Sequence, residues 1–425
     1  MKSILRKFVL FLLKRMAKRK LKKYKGKIIA VTGSVGKTST KEAVFAVLNS
    51  KFKVKRSEKS MNTDFGLLLT ILNIDSGYTS AMKWSWFLLK AFYHSFFRDH
   101  SEIMLLELGV DKPGDMDFLL SVVKPDIAVF TNVYSVHIDE GQFKDLQSIY
   151  DEKAKLIKGL KKEGTAVLNI DNPYIARLAK ERGGENTVTF GKDELSDFRA
   201  SKIGQTLEGM NFILKYQHKK YEVLTNVLGD YQVYVVLPAI ICGQLAGMEI
   251  EEAILALDRF TLPPGRMSII EGKNDSVILD SSYNSSPAAL KAALKTLDLV
   301  GQEKRRVAVL GNMNELGKDS KRLHEEIGDL VPKYADCLIT VGSDAKFIAT
   351  SAKEGGLDPK NIHVFSSTSE AASFFSKKVE EGDVVLVKGS QNKVRLERFV
   401  KELMAHPEDA KKLLVRQEKV WEAKF

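Results

Sequence analysis

The sequence predicts an α/β protein in which a mostly parallel central sheet carries a small antiparallel side sheet and is followed by a second α/β domain. In residues 27–263, short and nearly continuous apolar runs alternate with helical stretches, as expected for parallel strands covered on both faces. Two of the ten prolines fall in Thr261-Leu-Pro-Pro-Gly265, and the alternation starts again beyond them. We therefore expect a basic amphipathic N-terminal segment at 1–26, a central domain at 27–263 and a C-terminal domain at 264–425.

The individual elements follow from the same pattern. Strands of the central domain are predicted at 28–32, 103–106, 127–130 and 166–168. Helices are predicted over 37–49, 145–160 and 231–246. Residues 187–226 alternate apolar and polar side chains in short runs, which is typical of antiparallel strands with one face in solvent. The C-terminal domain has a Rossmann-like pattern, with strands near 276–279, 306–310, 337–341 and 383–387.

The net charge of +12 is concentrated at the N-terminus. Twelve of the 66 Lys and Arg residues lie in residues 1–27, which contain no Asp or Glu, so the remaining 54 basic residues face 54 acidic ones. Because the body is neutral, we expect no specific nucleic-acid surface. The two cysteines, Cys242 and Cys337, are far apart in the sequence and suit a reducing cytoplasm.

Two segments are candidates for contact with an anionic membrane surface. The apolar run Phe8–Leu13 is far shorter than the ~20 residues of a spanning helix, and its spacing among cations favours a helix lying on the membrane. A solvated leader with a few docked residues is the alternative. Residues 82–97 mix aromatic side chains with Lys and His, which fits either a core contact or a membrane interface. Together, residues 1–27 and 82–97 predict a peripheral position on the inner face of the membrane.

A glycine-rich segment, Thr32-Gly-Ser-Val-Gly-Lys-Thr-Ser-Thr40, follows a predicted strand and opens a predicted helix, the context of a P-loop-type phosphate site. Its glycines allow a tight turn that aims backbone N–H groups at phosphate oxygens. Lys37 is expected to reach the β- and γ-phosphates, and Thr38 to offer its hydroxyl to Mg²⁺. The predicted nucleotide-binding residues of this loop are Gly33, Ser34, Val35, Gly36, Lys37, Thr38 and Ser39.

The spacing T-G-x-x-G-K-T-[ST] resembles the phosphate loop of the Mur ligases and their folylpolyglutamate synthase relatives, which use ATP to join an amino group to a carboxylate. Further segments resemble the family's motifs in order: Asn62-Thr-Asp-Phe-Gly66, Glu107-Leu-Gly109, Thr131-Asn132 followed by His137, Lys153, Pro264-Gly-Arg266 and Asp280-Ser-Ser-Tyr-Asn284. Gly311–Gly317 and Val387-Lys-Gly-Ser390 are most similar to the branch that adds D-alanyl-D-alanine to a UDP-muramyl tripeptide.

The resemblance implies ATP and two Mg²⁺ ions, because a carboxylate and a γ-phosphate repel each other unless their charges are screened. It implies that Thr38 holds one ion and that Glu107, His137 and a carbamylated Lys153 surround the second. Carbamylation would turn an ammonium, a poor neighbour for Mg²⁺, into an anion with oxygen ligands. Lys155 and Lys158 lie nearby and leave the identity of this lysine open.

The resemblance also assigns residues beyond the phosphate loop. Arg266 is expected to contact the transferring phosphoryl group, as a catalytic residue beside Lys37, His137 and Lys153, and Asp280 to contact the nucleotide. The family's adenine segment, G-x-H-N-x-x-N, is replaced here by Gly229-Asp-Tyr-Gln-Val-Tyr-Val235, which keeps Gln232 as the amide for adenine. The implied substrate-binding residues are Asn62, Asn284, Glu315 and Ser390.

The expected function is a cytoplasmic, ATP-dependent amide-bond ligase of peptidoglycan precursor synthesis. It would form an acyl phosphate from a muramyl-peptide-like acid and add D-Ala-D-Ala or a similar amino acid or dipeptide. The alternatives are a related ligase for a lipid-linked, polyamino or folate-type acid, and a non-catalytic nucleotide-binding protein at the membrane. Relatives with UDP-muramyl substrates carry an additional N-terminal domain, whereas this chain reaches its phosphate loop at residue 33, which leaves open how the acceptor is held.

Overall fold

The computed structural model describes residues 3–57, 62–74, 81–134, 142–184, 186–390, 394–418 and 421. Contacts divide the chain into two compact units. The first contains residues 1–202, 212–223 and 233–260, and the second contains 203–211, 224–232 and 261–425.

The first sheet has nine strands in the order β2-β3-β1-β4-β5-β6-β7-β8-β9. Its strands are β1 Lys27–Thr32, β2 Val54–Arg56, β3 Ile103–Glu107, β4 Ile127–Phe130, β5 Thr165–Asn169, β6 Thr187–Gly191, β7 Phe198–Thr206, β8 Gly209–Tyr216 and β9 Lys219–Thr225. The helices in this part of the chain are α1 Ser3–Lys22, α2 Lys37–Leu48, α3 Asp64–Leu72, α4 Ala81–Phe96, α5 Asp115–Leu120, α6 Leu146–Lys158, α7 Pro173–Arg182, α8 Val233–Ala246 and α9 Ile250–Ala256.

The centre of this sheet is parallel and buried, which confirms the α/β prediction. Strands β3 and β4 are buried along their whole length, and β1 is exposed only at its first residue. Val31 pairs with Glu107 and Thr32 with Phe130, so β1, β3 and β4 end at one edge of the sheet. Loops at the carboxyl ends of parallel strands are where such sheets place their ligands, and this edge is where the phosphate loop begins.

The predicted side sheet is an extension of the main sheet. Strand β6 pairs with β5 in parallel, and β7, β8 and β9 follow in order at the same edge. Connections of two residues join β7 to β8 and β8 to β9, and such short connections allow only antiparallel pairing. The alternation of the sequence indicated the strand type, whereas the register with β5 depends on tertiary contacts.

The second unit is built around a six-stranded sheet in the order β10-β11-β15-β12-β13-β14, in which β10 is antiparallel to β11 and the other strands are parallel. This confirms the Rossmann-like prediction. The strands are β10 Ser268–Glu271, β11 Val277–Ser281, β12 Arg306–Gly311, β13 Cys337–Val341, β14 Ile362–Phe365 and β15 Val384–Lys388. The helices are α10 Pro287–Val300, α11 Ser320–Gly328, α12 Val331–Tyr334, α13 Ala345–Glu354, α14 Thr368–Phe375, α15 Glu397–Leu403 and α16 Ala410–Leu413.

The basic N-terminal segment forms a helix that is part of the first core. One face of α1 packs against α3 and α4 and buries Val9, Leu10, Leu13 and Ala17. The other face carries exposed cations together with Phe8 and Phe11, which are 56% and 54% exposed. Among the described residues, no helix combines the length and apolar character that crossing a bilayer requires.

The packing of α1 predicts a clear difference between two leucines of the same helix. Leu13 is 1% exposed and Leu5 is 52% exposed. Leu13→Ala should lower the free energy of unfolding by about 2–5 kcal/mol, because it leaves a cavity in the core. The matched variant Leu5→Ala should change it by less than about 0.5 kcal/mol. Urea unfolding followed by circular dichroism measures both, and equal stabilities would contradict the packing of α1 on the core.

Candidate active site

The phosphate loop, residues 33–36, connects the carboxyl end of β1 to the first turn of α2. Gly36 has φ = 83° and directly precedes Lys37, the first residue of α2. Positive φ favours glycine, since a side chain is strained there. At Gly33 a side chain would also clash, because a Cβ at this position would lie 2.0 Å from Thr131 Oγ1. Both glycines are therefore required by the backbone geometry.

The segment that follows β4 holds the phosphate loop in shape. Ser34 N donates to Asn132 O at 3.0 Å, and Val35 N donates to Asn132 Oδ1 at 2.9 Å. Asn169 supports this segment through a 2.7 Å hydrogen bond from its Nδ2 to Thr131 O. Asn169 was not predicted from the sequence, although its place at the end of β5 beside β4 is a signal that could have identified it.

Lys37 is folded back over the loop. Its Nζ donates to Gly33 O at 2.9 Å and to Ser34 O at 3.1 Å. An ammonium held on the rim of a glycine-rich loop at a helix N-terminus is suited to bind the terminal phosphates of a nucleotide.

Glu107 is the buried carboxylate of this edge of the sheet, with only 1% of its surface exposed. Its Oε1 accepts hydrogen bonds from Thr38 Oγ1 at 3.2 Å and from Asn62 Nδ2 at 2.9 Å. Its Oε2 is buried and has no hydrogen-bond donor among the described residues, although Lys41 Nζ lies 3.9 Å away. A buried carboxylate oxygen without a donor, beside a threonine hydroxyl at a phosphate loop, fits a hard cation such as Mg²⁺.

Lys41 is a component of the site that sequence reasoning missed. It is fully buried and donates to Ser57 O at 2.6 Å, and it lies 3.1 Å from Glu42 Oε1. Its position four residues after Lys37, on the same face of α2, is the signal that could have identified it. Its charge offsets part of the cost of burying Glu107.

The structure distinguishes the three lysines of α6. Lys153 is 1% exposed, whereas Lys155 is partly exposed and bonds to Asp117 and Glu152, and Lys158 is exposed. Burial lowers the pKa of Lys153 well below its usual value, and the nearby positive charge of Lys37 lowers it further. Lys153 makes no hydrogen bond or ion pair with a residue that the structure describes. It is therefore a buried amine close to the phosphate loop, while its two competitors face outward.

His137, the predicted third member of this group, lies outside the described residues. Within the described ranges, no group of three or more His, Cys, Asp or Glu side chains is arranged to hold a metal. A cation here would therefore need ligands beyond Thr38 and Glu107, such as nucleotide phosphates, His137 and a modified Lys153.

In the second unit, Asp280 lies near the carboxyl end of β11 and is fully buried. Its Oδ1 accepts from Ser282 N at 2.9 Å, and its Oδ2 has no donor among the described residues. Burial raises the pKa of Asp280 to about 6, against the opposing effect of Ser282. Lys388, on the neighbouring strand β15, is buried too, and burial lowers its pKa to about 8. Lys388 was not predicted from the sequence, although it stands two residues before Ser390.

The two motif segments of the second unit are in direct contact. Tyr283 N donates to Gly265 O at 3.0 Å, and the Arg266 guanidinium carbon lies 3.9 Å from the centre of the Tyr283 ring. A Cβ at Gly265 would come within 2.9 Å of Tyr283 N, so glycine is required for this approach. The structure thereby brings the segment of Arg266 to the segment of Asp280.

The predicted substrate-binding residues of this unit also lie close to one another. Ser390 is 2% exposed, and its Oγ donates to Ser285 O at 3.2 Å and accepts from Asn314 N at 3.0 Å. Asn284 precedes Ser285, and Glu315 follows Asn314 with φ = 62°, a conformation uncommon for a residue with a side chain. Gln232, the predicted adenine contact, is 4% exposed and groups with this unit.

Two family models match consecutive parts of the chain. The Mur ligase middle domain matches residues 31–243, and the Mur ligase, glutamate ligase domain matches residues 265–391.

Individual relatives agree with these matches. The chain is 28% identical to the UDP-N-acetylmuramoyl-tripeptide–D-alanyl-D-alanine ligase of Bacillus subtilis, with 93% of this chain and 79% of the relative covered. Among solved structures, it is similar to the MurF ligase of Thermotoga maritima in complex with ADP, with 28% identity, a TM-score of 0.76 and coverage of 95% and 84%. MurF of Acinetobacter baumannii shares the fold, with 23% identity, a TM-score of 0.75 and coverage of 92% and 80%. The ordered motifs, the two domain matches and these relatives show that the chain belongs to the Mur ligase family and is an ATP-dependent carbon–nitrogen ligase.

Proposed function

We propose that the chain joins D-alanyl-D-alanine, or a similar amine, to the carboxylate of a muramyl-peptide-like acid in the cytoplasm, as a step of peptidoglycan precursor synthesis. The convergence of Lys37, Thr38 and the incompletely bonded carboxylate of Glu107 at the phosphate loop carries the proposal. The relatives support the choice of substrates, since several carry the name UDP-N-acetylmuramoyl-tripeptide–D-alanyl-D-alanine ligase.

The reaction proceeds in two displacements. A carboxylate oxygen of the acid attacks the γ-phosphorus of ATP, which forms an acyl phosphate and releases ADP. The amine nitrogen then attacks the acyl carbon, phosphate leaves, and the nitrogen loses a proton. Lys37 binds the phosphate oxygens during the first displacement and stabilises the charge that develops there.

We propose two Mg²⁺ ions for this site. When bound, they supply charge screening between the carboxylate and the γ-phosphate. The hydroxyl of Thr38 would hold one ion, and Glu107, His137 and a carbamylated Lys153 the other. The buried Oε2 of Glu107, which lacks a donor among the described residues, supports a cation at this position.

Turnover should depend on Lys37 and not on the nearby surface lysine Lys51. Lys37→Met should lower amine-dependent phosphate release by at least about 100-fold, since it removes a charged contact to the transferring group. Lys51→Met is the matched control, because Lys51 is 42% exposed and pairs with Glu252 at the surface. The assay contains Mg²⁺, ATP, UDP-muramyl tripeptide and D-Ala-D-Ala. Turnover with a folate-type or polyamino acid instead would contradict the proposed acceptor, and undiminished turnover by Lys37→Met would contradict the site.

We propose that Lys153 is carbamylated by CO₂. Its burial and the nearby charge of Lys37 favour the neutral amine, which is the form that attacks CO₂, because the ammonium has no lone pair. The carbamate anion would also relieve the repulsion between Lys37 and the ammonium, and it would give Lys153 oxygen atoms that can bind a cation.

The modification can be detected apart from catalysis. After incubation with ¹³C-bicarbonate, the protein should show a carbamate carbon by NMR, and Lys153→Met should lose that signal together with most turnover. Lys155→Met is the control on the same helix, since Lys155 is partly exposed and bonds to Asp117 and Glu152, and this variant should keep both the carbamate signal and turnover. A carbamate signal that persists in Lys153→Met would exclude this lysine as the modified residue.

We further propose that the protein binds peripherally to an anionic membrane through the α1–α4 surface. This surface comprises the exposed apolar side chains Leu5, Phe8, Phe11, Trp86, Leu89, Phe92, Tyr93, Phe96 and Phe97. They are nine of the 17 large apolar side chains that are exposed in the described residues. Cations of α1 lie among them, and Arg19 stacks on Phe96 with its guanidinium carbon 4.7 Å from the ring centre. Aromatic side chains interleaved with cations are typical of proteins that bind at the lipid interface.

Vesicle flotation tests this surface by point substitution, because deleting α1 would also remove part of the core. The full-length protein should float with vesicles of phosphatidylcholine and phosphatidylglycerol, and less so at about 0.5 M salt, where charges are screened. Phe11→Ser/Trp86→Ser should float several-fold less. Leu195→Ser/Leu255→Ser is the matched control, since these leucines are 85% and 69% exposed but do not belong to the α1–α4 surface. Failure of the unaltered protein to float would remove the proposal.

A further inference from the structure

A cavity of about 460 Å³ lies beside the C-terminal ends of α1 and α4, and we call it the cationic cleft. Its charged and titratable lining consists of Lys20, Lys53, Lys55, Arg98, His94, His100, Tyr93 and a single carboxylate, Asp99. Four cationic side chains thus face one anionic side chain. None of these residues takes part in the candidate active site.

Asp99, the single carboxylate of the cleft, accepts hydrogen bonds from neighbouring protein groups. Asp99 Oδ2 accepts from Lys55 Nζ at 2.6 Å, and Oδ1 accepts from the hydroxyl of Ser101 at 2.8 Å and from its backbone N at 3.1 Å. Burial works to raise the pKa of Asp99, but the bond and charge of Lys55 together with the two hydrogen bonds from Ser101 outweigh it and lower this pKa to about 2. Asp99 and Lys55 therefore form a neutral pair.

Lys20 is a second cation beside Asp99, and it has a longer contact with this carboxylate than Lys55 has. It is 6% exposed, and its Nζ lies 3.9 Å from Asp99 Oδ2, too far for a hydrogen bond. Among the described residues it donates no hydrogen bond. Burial lowers the pKa of Lys20 to about 8, and the charge of Lys55 contributes to this effect. The ammonium of Lys20 thus lines the cleft without a hydrogen-bond acceptor among the described residues, and an anion in the cleft would supply one.

The cleft is distant from the phosphate loop. Lys53 and Val54 stand at the start of β2, and Asp99 and Ser101 precede the first residue of β3. The candidate active site begins at the other end of β3, at Glu107, and five residues of strand correspond to about 15 Å. An anion in the cleft would therefore leave the reacting groups untouched, so this site serves binding and not catalysis.

We propose that the cationic cleft binds a phosphate group. Two sources have this chemistry: free phosphate, and the headgroup phosphate of an anionic lipid. The exposed rings of Tyr93 and Phe97 line the cleft and belong to the α1–α4 surface, so a lipid headgroup can reach it from the membrane. The phosphate site itself does not depend on the membrane proposal, because its donors would bind phosphate from solution equally.

Calorimetric titration with inorganic phosphate tests the site in the full-length protein, with the phosphate loop kept filled by Mg²⁺ and ADP. Lys20→Met should weaken phosphate binding about tenfold or more, because a charged hydrogen bond is lost. Lys22→Met is the matched control, since Lys22 is exposed on the same helix and does not line the cleft. Arg98→Gln provides a second variant that changes an exposed lining residue, and it should also weaken binding. Binding that is absent, or equal in all four proteins, overturns the proposal.

Vesicle sedimentation distinguishes the two sources. The vesicles contain phosphatidate in phosphatidylcholine. If they retain the unaltered protein and Lys22→Met several-fold better than they retain Lys20→Met, the ligand is a lipid headgroup. If retention is independent of Lys20 but titration with inorganic phosphate depends on it, the ligand is soluble phosphate. Both outcomes support the phosphate site. Loss of vesicle binding by Phe11→Ser/Trp86→Ser tests only the membrane proposal, because these residues do not line the cleft.

Discussion

The buried carboxylate of Glu107 is the constraint on which the candidate active site depends. A carboxylate in the interior is costly unless its oxygens have partners, and this one brings α2 and the segment of Asn62 to the end of β3. Thr38 from α2 and Asn62 donate to one oxygen, and Lys41 lies within 4 Å of the other. The other oxygen has no donor among the described residues and is therefore available to a cation. The phosphate loop is positioned by the same strand ends, through Thr131 and Asn132.

Three lysines lie in the candidate active site with Glu107, but none of them forms a hydrogen-bonded ion pair with its carboxylate. Lys37 rests on the carbonyls of the loop, Lys41 is buried behind it, and Lys153 is buried close enough to Lys37 for their charges to repel. Further carboxylates lie nearby, because Glu42 Oε1 is 3.1 Å from Lys41 Nζ and the charges of Asp111 and Glu152 act on Lys153. Nucleotide phosphates would give Lys37 an anionic partner, and a carbamate would remove the positive charge of Lys153. The electrostatics of the site thus favour the binding of anionic groups such as nucleotide phosphates.

The N-terminal helix α1 has one face that packs in the core and one face that carries exposed cations and aromatic side chains. The net charge alone did not indicate the packed face. The buried side chains of α1, among them Leu10 and Leu13, complete the core with α3 and α4, so the helix is a structural part of the first unit. Its outer face keeps the cations and Phe8 and Phe11 in solvent. Lys20 belongs to neither face, because it is buried at the cationic cleft without a hydrogen-bond acceptor among the described residues.

The sequence by itself determined the fold class, the parallel strands and the phosphate loop, because strand runs, glycine spacing and helix starts are local patterns that the chain carries in order. It also placed Glu107 and Asp280 at strand ends. It could not choose among Lys153, Lys155 and Lys158, because burial depends on which face of α6 meets the sheet. It missed Lys41, Asn169 and Lys388, whose partners are 16 to 107 residues away in the chain. Only the tertiary structure decided these points, since desolvation and hydrogen bonding of a buried polar group depend on distant neighbours.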